Sequence, residues 1–490
     1  MVHNHDNTLN IMVIGLGPHG RSVYLPVLKS LQPECNISVA GVVDYATERE
    51  AVLKSIHQFG FENSCTFVEA PPRKKGECYC LTSELRRSLE QLLEKEHVRA
   101  AIISTEPISH MAYTEWALEN GLHVLVDKPL TARPFASVEI QQAYGIEEDY
   151  VKLVELVKSR KYARTGEKLV FRCMLQRRFQ SGYLDMREMI KRVFSVTNCP
   201  PTSITIVHND GQWRFPKELY SESYHGFDEG IGELTHTGYH YLDMIPWFLK
   251  VARPHDYPID NVVIYASFTR PNDIVSLLPS ENIERLFGTR HKDSEGPILL
   301  TLREDMKTFG EVDAHLAVRF CHLDSVICNV NLTLLHSGLS YRHWADTQSD
   351  PYINKGRMKQ ETVLVYQGPF LAAQSHKYRA TKDNSLHRDQ FGGEDHNEIN
   401  YLINDKVLKM GLGPLVRKSF RERTDELGIK SYKIRCIQDF VAAVVGKTIY
   451  DDNFSIEEHL PGVKLLSGAY VAGARGFLGE AAVHSFPFEV

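Results

Sequence analysis

The chain has no apolar run approaching the ~18 to 20 residues needed to cross a bilayer, and its opening stretch Met1–Asn10 is polar rather than a charged-then-apolar secretion signal. A membrane role is left out and a cytoplasmic protein is expected. There is no excess of positive charge. The net charge is −6 with histidine neutral, so no bulk field draws the chain to nucleic acid or an anionic membrane. Cysteine offers no scaffold: nine make an odd set, and Cys78-Tyr-Cys80 lacks both the two-residue gap and the downstream partners of a zinc knuckle. They read as free thiols. No period of 20 to 50 residues repeats along the chain, which excludes a solenoid or propeller. At 490 residues, 43% hydrophobic and 24% charged, what remains is an ordinary globular protein with two or more domains.

The run Asn10-Ile-Met-Val-Ile-Gly15-Leu-Gly17-Pro18-His19-Gly20 is the strongest positive signal. It joins a strand-like stretch to a helix, and Asp44 closes the next apolar run, Ile37 to Val43. That is the layout of a dinucleotide-binding βαβ unit. Gly15 allows the tight turn, Gly17 lets a pyrophosphate approach the backbone, and Gly20 packs the helix on the sheet. The helix N-terminus presents N–H groups and the positive dipole end to phosphate. Pro18 and His19 fall in the same loop.

From Asn10 to about Thr131, short apolar runs alternate with helical spacings, as in a parallel sheet covered by helices. Leu85, Leu89, Leu92 and Leu93 share one helical face. Val98–Ser104 and His123–Val126 read as strands, with Met111–Glu119 as a helix between them. Residues 64–82 read as an insertion. Beyond Lys168 long alternating runs take over, at Leu169–Met174, Ser203–Val207, Ala314–Phe320 and Ser325–Leu335, the mark of an α+β domain on a mostly antiparallel sheet. Residues 341–431 are polar and aperiodic and predict loops with short helices. Ile434, Ile437, Phe440 and Val441 predict a late helix, and Leu460–Ala472 another. The expected fold is α/β. A tail (1–9) precedes a Rossmann dinucleotide-binding domain (10–142), a bridging helix follows (143–166), and residues 167–490 form a C-terminal α+β domain with a large open, mostly antiparallel sheet, carrying an insertion at about 341–431.

Three blocks resemble the Gfo/Idh/MocA oxidoreductases, a family named after glucose–fructose oxidoreductase and inositol dehydrogenase. The first is Ser104-Thr105-Glu106-Pro-Ile-Ser-His110 with Asp127-Lys128-Pro129, close to the family's Glu-Lys-Pro at the end of a Rossmann strand. The second is Gly230-Ile-Gly-Glu-Leu-Thr-His236-Thr-Gly238-Tyr-His240-Tyr-Leu-Asp243, and the third Gln176-Arg177-Arg178-Phe179. The resemblance implies a nicotinamide cofactor lying between the two domains, with Lys128 beside its reactive carbon. Thr105, Glu106, His110 and Asp127 would line the cofactor, Asp127 one methylene shorter than the family's Glu. It also implies a homodimer or homotetramer, assembled through the outer face of the second-domain sheet. His236 departs from the family, most of whose members carry Asp four residues before the catalytic His.

If residues 234–245 are helical, His236, His240 and Asp243 lie at i, i+4 and i+7 on one face. Oxidising an alcohol needs a base for the hydroxyl proton, and histidine suits neutral pH. His240 is the candidate base, His236 a second titratable imidazole, and Lys128 a donor to the same oxygen. Asp243 would orient His240 or cap the backbone. With Arg177 or Arg178 nearby, these cations suggest a small-molecule substrate bearing a carboxylate or phosphate; the two arginines read equally as surface or interdomain charges. His236 and His240 have the spacing of two metal ligands but lack the Glu that follows the first His in hydrolytic zinc sites, so no metal is expected. Asp44 would accept ribose hydroxyls and repel an extra phosphate, favouring NAD, while Arg49 leaves NADP open. The reading is an NAD(P)-dependent oxidoreductase acting on a CH–OH group, or its ketone, of a sugar, cyclitol or related polar metabolite. Its rivals are a redox-neutral NAD-dependent sugar-modifying enzyme, an imine reductase, and a dinucleotide-binding regulator without catalysis.

Overall fold

A computed structural model describes residues 8–162, 165–209, 211, 226–277, 281–282, 285, 292–293, 296–297, 302–338, 360–378, 396–421, 429–447 and 455–489. The chain divides into two compact units, one of residues 1–133, 146–179 and 423–463, the other of residues 134–145, 180–422 and 464–490.

In the first unit, strands β1 (Leu9–Ile14), β2 (Ile37–Tyr45), β3 (Thr66–Ala70), β4 (Ala100–Ile103), β5 (His123–Val126) and β6 (Phe171–Cys173) form one sheet in the order β3-β2-β1-β4-β5-β6. Every neighbouring pair is parallel. Strands covered on both faces must be apolar throughout, and Ile11–Ile14 and Ala100–Ile103 are buried at every position. The crossovers are helices α1 (Leu25–Cys35), α2 (Arg49–Gln58), α3 (Ser83–Glu96) and α4 (His110–Glu119). In α3 the leucine spacing buries Leu85, Leu89 and Leu92, each worth about 1.5 to 3 kcal/mol. The Thr82 hydroxyl caps that helix by accepting from the Leu85 N–H at 3.2 Å.

This unit departs from the sequence reading in three places. The segment 64–82 is not only an insertion, since Thr66–Ala70 pairs with β2 as the half-exposed edge strand. Within Leu169–Met174, Phe171–Cys173 joins the parallel sheet beside β5 instead of opening the second one. The late helix, Ser431–Val444, buries Cys436, Ile437, Phe440, Val441 and Val444 in the same core as α1 and β1. Its Asp439 accepts from the Arg172 guanidinium on β6 at 2.7 Å.

The second unit is built on a mixed sheet of nine strands among the described residues. These are β7 (Ser203–Asn209), β8 (Asn261–Thr269), β9 (Asp313–His322), β10 (Ser325–Leu335), β11 (Gln360–Gln367), β12 (Leu371–Tyr378), β13 (His396–Ile403), β14 (Leu415–Phe420) and β15 (Val483–Pro487), in the order β14-β13-β12-β11-β7-β10-β9-β8-β15. Only β7 and β10 run parallel; the other neighbours are antiparallel. Loops with short helices were expected across 341–431, yet β11 to β14 lie there and supply four strands. Much of the remaining insertion, at 339–359, 379–395 and 422–428, lies outside the described residues.

One face of this sheet carries the helices Ser181–Thr197 and Tyr239–Lys250. The second is buried along nearly its whole length despite Pro246. Beneath it, Glu361 of β11 accepts from the Tyr241 hydroxyl at 2.6 Å and also from the Tyr183 hydroxyl. Tyr241 in turn lies 2.7 Å from His208 Nδ1 on β7. A buried carboxylate requires such donors, and here they tie both helices to the sheet.

Candidate functional site

The sequence-predicted residues fall into two sets. Gly15, Gly17, Pro18, His19, Gly20, Asp44, Thr105, Glu106, His110, Asp127, Lys128, Arg177 and Arg178 belong to the first unit, and His236, His240 and Asp243 to the second.

In the first unit the glycine loop leaves β1 through Gly15, whose φ of +79° suits glycine. A Cβ at Gly15 would lie 2.7 Å from the Thr105 backbone nitrogen, so the loop after β4 passes directly against it. At Gly17 an added Cβ would meet nothing within 4 Å. That opening, above the start of the following helix, is the cradle a pyrophosphate needs. The first turn, Gly20–Tyr24, is π-helical before α1 begins, a local widening common at functional sites.

Asp44, at the end of β2, is buried. Its Oδ2 accepts from the Leu16 N–H and its Oδ1 from the Tyr45 N–H, each at 2.8 Å. It therefore braces the glycine loop, and each oxygen keeps a further lone pair for a ribose hydroxyl. Burial raises its pKa above the usual carboxylate value, against the two backbone hydrogen bonds. Arg21, a cation the sequence reading missed, donates to Glu48 at 2.9 Å and to the Leu16 carbonyl at 3.1 Å. Arg49 instead lies over the Phe67 ring at 5.1 Å.

The loop after β4 is held from several sides. Glu106 accepts from Tyr45 at 3.2 Å, from Arg73 at 3.3 Å and from the Ser109 hydroxyl. Arg73 comes from the segment 64–82. His110 is wholly buried, with Nδ1 2.7 Å from the Pro129 carbonyl and Nε2 3.1 Å from the Thr105 carbonyl. It ties the Thr105 loop to the Lys128–Pro129 segment, so its place is structural. Burial lowers its pKa, opposed by those two carbonyls. Asp127 follows β5. Its Oδ2 accepts from the Ser104 hydroxyl at 3.4 Å and lies 4.0 Å from His19 Nε2 in the glycine loop. The Lys128 N–H donates to Asp127 Oδ1 at 3.3 Å. Arg177 and Arg178 are buried in the turn Gln176–Phe179, so neither is a surface charge. Arg178 donates to the Glu458 carbonyl at 3.4 Å.

In the second unit, His236 lies in a π-helical turn, Leu234–Gly238, and His240 and Asp243 in the α-helix that continues it. The turn starts under tight constraint. A Cβ at Gly232 would come within 2.0 Å of the Glu311 carbonyl oxygen, and the Glu233 N–H donates to that oxygen at 3.0 Å. Glu311 Oε1 accepts from the Leu234 N–H at 2.9 Å and from Tyr470 at 3.0 Å. Burial pushes the Glu311 carboxyl up to about 7. Glu233, unnoticed in the sequence, is fully buried, with Oε2 3.6 Å from His236 Nδ1 and 3.7 Å from His336 Nδ1. Among the described residues no group of three His, Cys, Asp or Glu could hold a metal ion, and no helix is long and apolar enough to cross a membrane.

Residues 9–152 match the Gfo/Idh/MocA family, an oxidoreductase family with an NAD-binding Rossmann fold. No curated protein matches the chain. Solved structures share its fold. An oxidoreductase from Agrobacterium radiobacter in complex with NAD+, L-tartaric acid and magnesium is 11% identical, with 98% of both chains covered and a TM-score of 0.56. A 3-ketoreductase from Actinomadura kijaniata, in complex with NADP and TDP-benzene, is 13% identical over 94% of this chain and 97% of that one, with a TM-score of 0.53. Residues 9–152 are thus similar to the NAD-binding Rossmann domain of the Gfo/Idh/MocA oxidoreductases, and the rest of the chain shares only the fold of these solved structures.

Proposed function

We propose that the protein is an NAD(P)-dependent oxidoreductase acting on a CH–OH group, or its ketone, of a sugar, cyclitol, hydroxy acid or related polar metabolite. The observation that carries this reading is the open cradle at Gly17, flanked by Asp44 at the end of β2 and by Asp127-Lys128-Pro129 after β5. The residues fit the cofactor. Gly15 to Gly20 and the helix N-terminus would hold its pyrophosphate, and Asp44 its adenosine ribose. When bound, the nicotinamide supplies the hydride acceptor or donor. The family resemblance assigns Lys128 the role of donor to the reacting oxygen and a histidine of the 236–240 pair that of holding its proton.

The carboxylates of Asp44 and Glu48, with Arg21 held by the latter, favour NAD over NADP, because a second phosphate would meet like charge. The hydroxy-acid class enters because the Agrobacterium radiobacter relative was crystallised with L-tartaric acid. We also propose a homodimer or homotetramer built on the outer sheet face, where Val207, Tyr265, Tyr366, Leu402 and Leu415 are exposed.

The test is a fluorescence titration with NADH and NADPH, followed by absorbance assays against polyols, inositols, sugar acids, hydroxy acids and nucleotide sugars. Expected are NADH binding tighter than NADPH by about tenfold or more, and turnover of some substrate that is lost in Lys128→Ala. Absence of binding by either cofactor overturns the reading. Light scattering in solution decides the assembly, and a monomer rejects it.

A further inference from the structure

Glu233 is fully buried while the side chain of His236 is one-third exposed, at 33%. Taking a carboxylate out of water is costly unless positive or donor groups face it. Two imidazoles do, and both present Nδ1 to the same oxygen, Oε2. His336 is itself fully buried at the end of β10, against the Phe227 ring at 5.5 Å. The backbone holds Glu233 in place from both sides: its N–H donates to the Glu311 carbonyl, and the His236 N–H donates to the Gly232 carbonyl at 2.9 Å. The Thr237 hydroxyl is a second neighbour of His236 Nδ1, at 3.1 Å.

We propose that Glu233 positions His236 as a carboxylate-backed imidazole, with His336 holding the carboxylate from behind, so that His236 rather than His240 receives the substrate proton. The proposal rests on the oxidoreductase reading above. A carboxylate facing Nδ1 keeps the proton on that nitrogen and stabilises the imidazolium, so exchange with a substrate falls to Nε2. The negative charge that the family resemblance expects at position 236 is thereby supplied one turn earlier in the chain. In the oxidative direction the O–H electron pair closes the C=O bond. His236 Nε2 would take the hydroxyl proton, and a bound oxidised nicotinamide would supply the acceptor for the C–H electron pair.

The test needs no substrate for its first arm. Full-length protein is labelled with diethyl pyrocarbonate across pH, and modification of His236 is read by mass spectrometry in wild type, Glu233→Gln and Glu233→Asp. Among the described residues, Glu233 lies against His236 and His336 against Glu233, while Glu311 and Tyr470 bond the same turn at the Leu234 N–H and the Thr235 hydroxyl, and only Glu233 is changed. The reagent attacks neutral imidazole, and losing an adjacent carboxylate makes the imidazole easier to deprotonate. The labelling midpoint should therefore move about one unit to lower pH in Glu233→Gln and stay near wild type in Glu233→Asp. Equal midpoints in all three overturn the pairing.

The second arm uses whichever panel substrate turns over. Glu233→Gln and His236→Gln should each lower kcat about 10²-fold with KM and NADH affinity held, and the double variant should lose no more than either alone. Full activity in His236→Gln, with loss only in His240→Gln, overturns the proposal and leaves the oxidoreductase reading standing. If neither cofactor binds, that reading fails, while the labelling midpoints still decide the pairing. Glu233→Asp keeps the charge and guards against a Glu233→Gln chain that does not fold.

Discussion

The two units were assembled by different rules, and that difference decides what each discloses in its sequence. In the first, strands β1 to β5 each pair in parallel with a neighbour reached through one crossover helix, so their signals are local and periodic. In the second, β7 lies between β10 and β11, which follow it far along the chain. Such pairings leave no local trace. The first unit also carries the expected cofactor loop as one continuous motif, whereas the second gathers Glu233, Glu311, His336 and Tyr470 from separate segments.

The comparison breaks most sharply at Gly15. An alanine there must adopt φ +79° and push against the Thr105 nitrogen at 2.7 Å. Left-handed strain and overpacking together cost about 2 to 4 kcal/mol, and the loop displaced is the one that would hold the cofactor. Gly15→Ala is expected to lose NADH binding and to lower the thermal unfolding temperature. An unchanged melting curve would mean that the loop does not pack against the β4 turn as described.

In the second unit the largest expected effect is at Glu311, and its sign depends on pH. The folded carboxyl sits at about 7, above its usual 4.5. Between those values the native state keeps a proton that the unfolded chain releases, so stability falls as pH rises through this window and stays lowered above it. The loss amounts to roughly 3 kcal/mol. Glu311→Gln has no such ionisation. It should match wild type near pH 4.5 and exceed it at pH 8, measured by denaturant unfolding at both. Equal stability at pH 8 would show that the carboxylate is compensated where it lies.

A smaller effect tests whether the brace under the helix Tyr239–Lys250 is confined to its own unit. Tyr241→Phe removes one donor from the buried Glu361 carboxylate, at a cost of about 2 kcal/mol. Unfolding should come earlier while NADH affinity changes by less than about twofold, within ~0.5 kcal/mol. A parallel loss of affinity would show that the two units are not energetically separate.

The βαβ loop, Asp44, the amphipathic α3 and the resemblance at Asp127-Lys128-Pro129 were all legible because each rests on spacing within one short segment. The edge strand Thr66–Ala70 was not, since its half-exposed residues dilute the period of two. Nor were β11 to β14 legible, where polar connections hid eight-residue alternations such as Gln360–Gln367. Phe171–Cys173 and Ser431–Val444 had the right type but the wrong unit, because nothing local says which sheet an apolar segment will join. Of the candidate site, the histidines were singled out by the family resemblance on the premise of one continuous α-helix, whereas Leu234–Gly238 is a π-helical turn. Glu233 was passed over although it lies beside them, because its burial and its partner His336 become visible only when the chain folds back by about 100 residues.

The smallest expected change in stability is the most discriminating for the first unit. At Gly17 an added methyl would touch nothing within 4 Å, so Gly17→Ala should unfold within ~0.5 kcal/mol of wild type. If the space is kept for a pyrophosphate, the same methyl intrudes on it and weakens NADH about tenfold, near 1.4 kcal/mol. Gly15→Ala couples folding and binding, whereas Gly17→Ala separates them: normal unfolding with weakened NADH supports the cradle, and normal unfolding with full affinity removes it from the cofactor site.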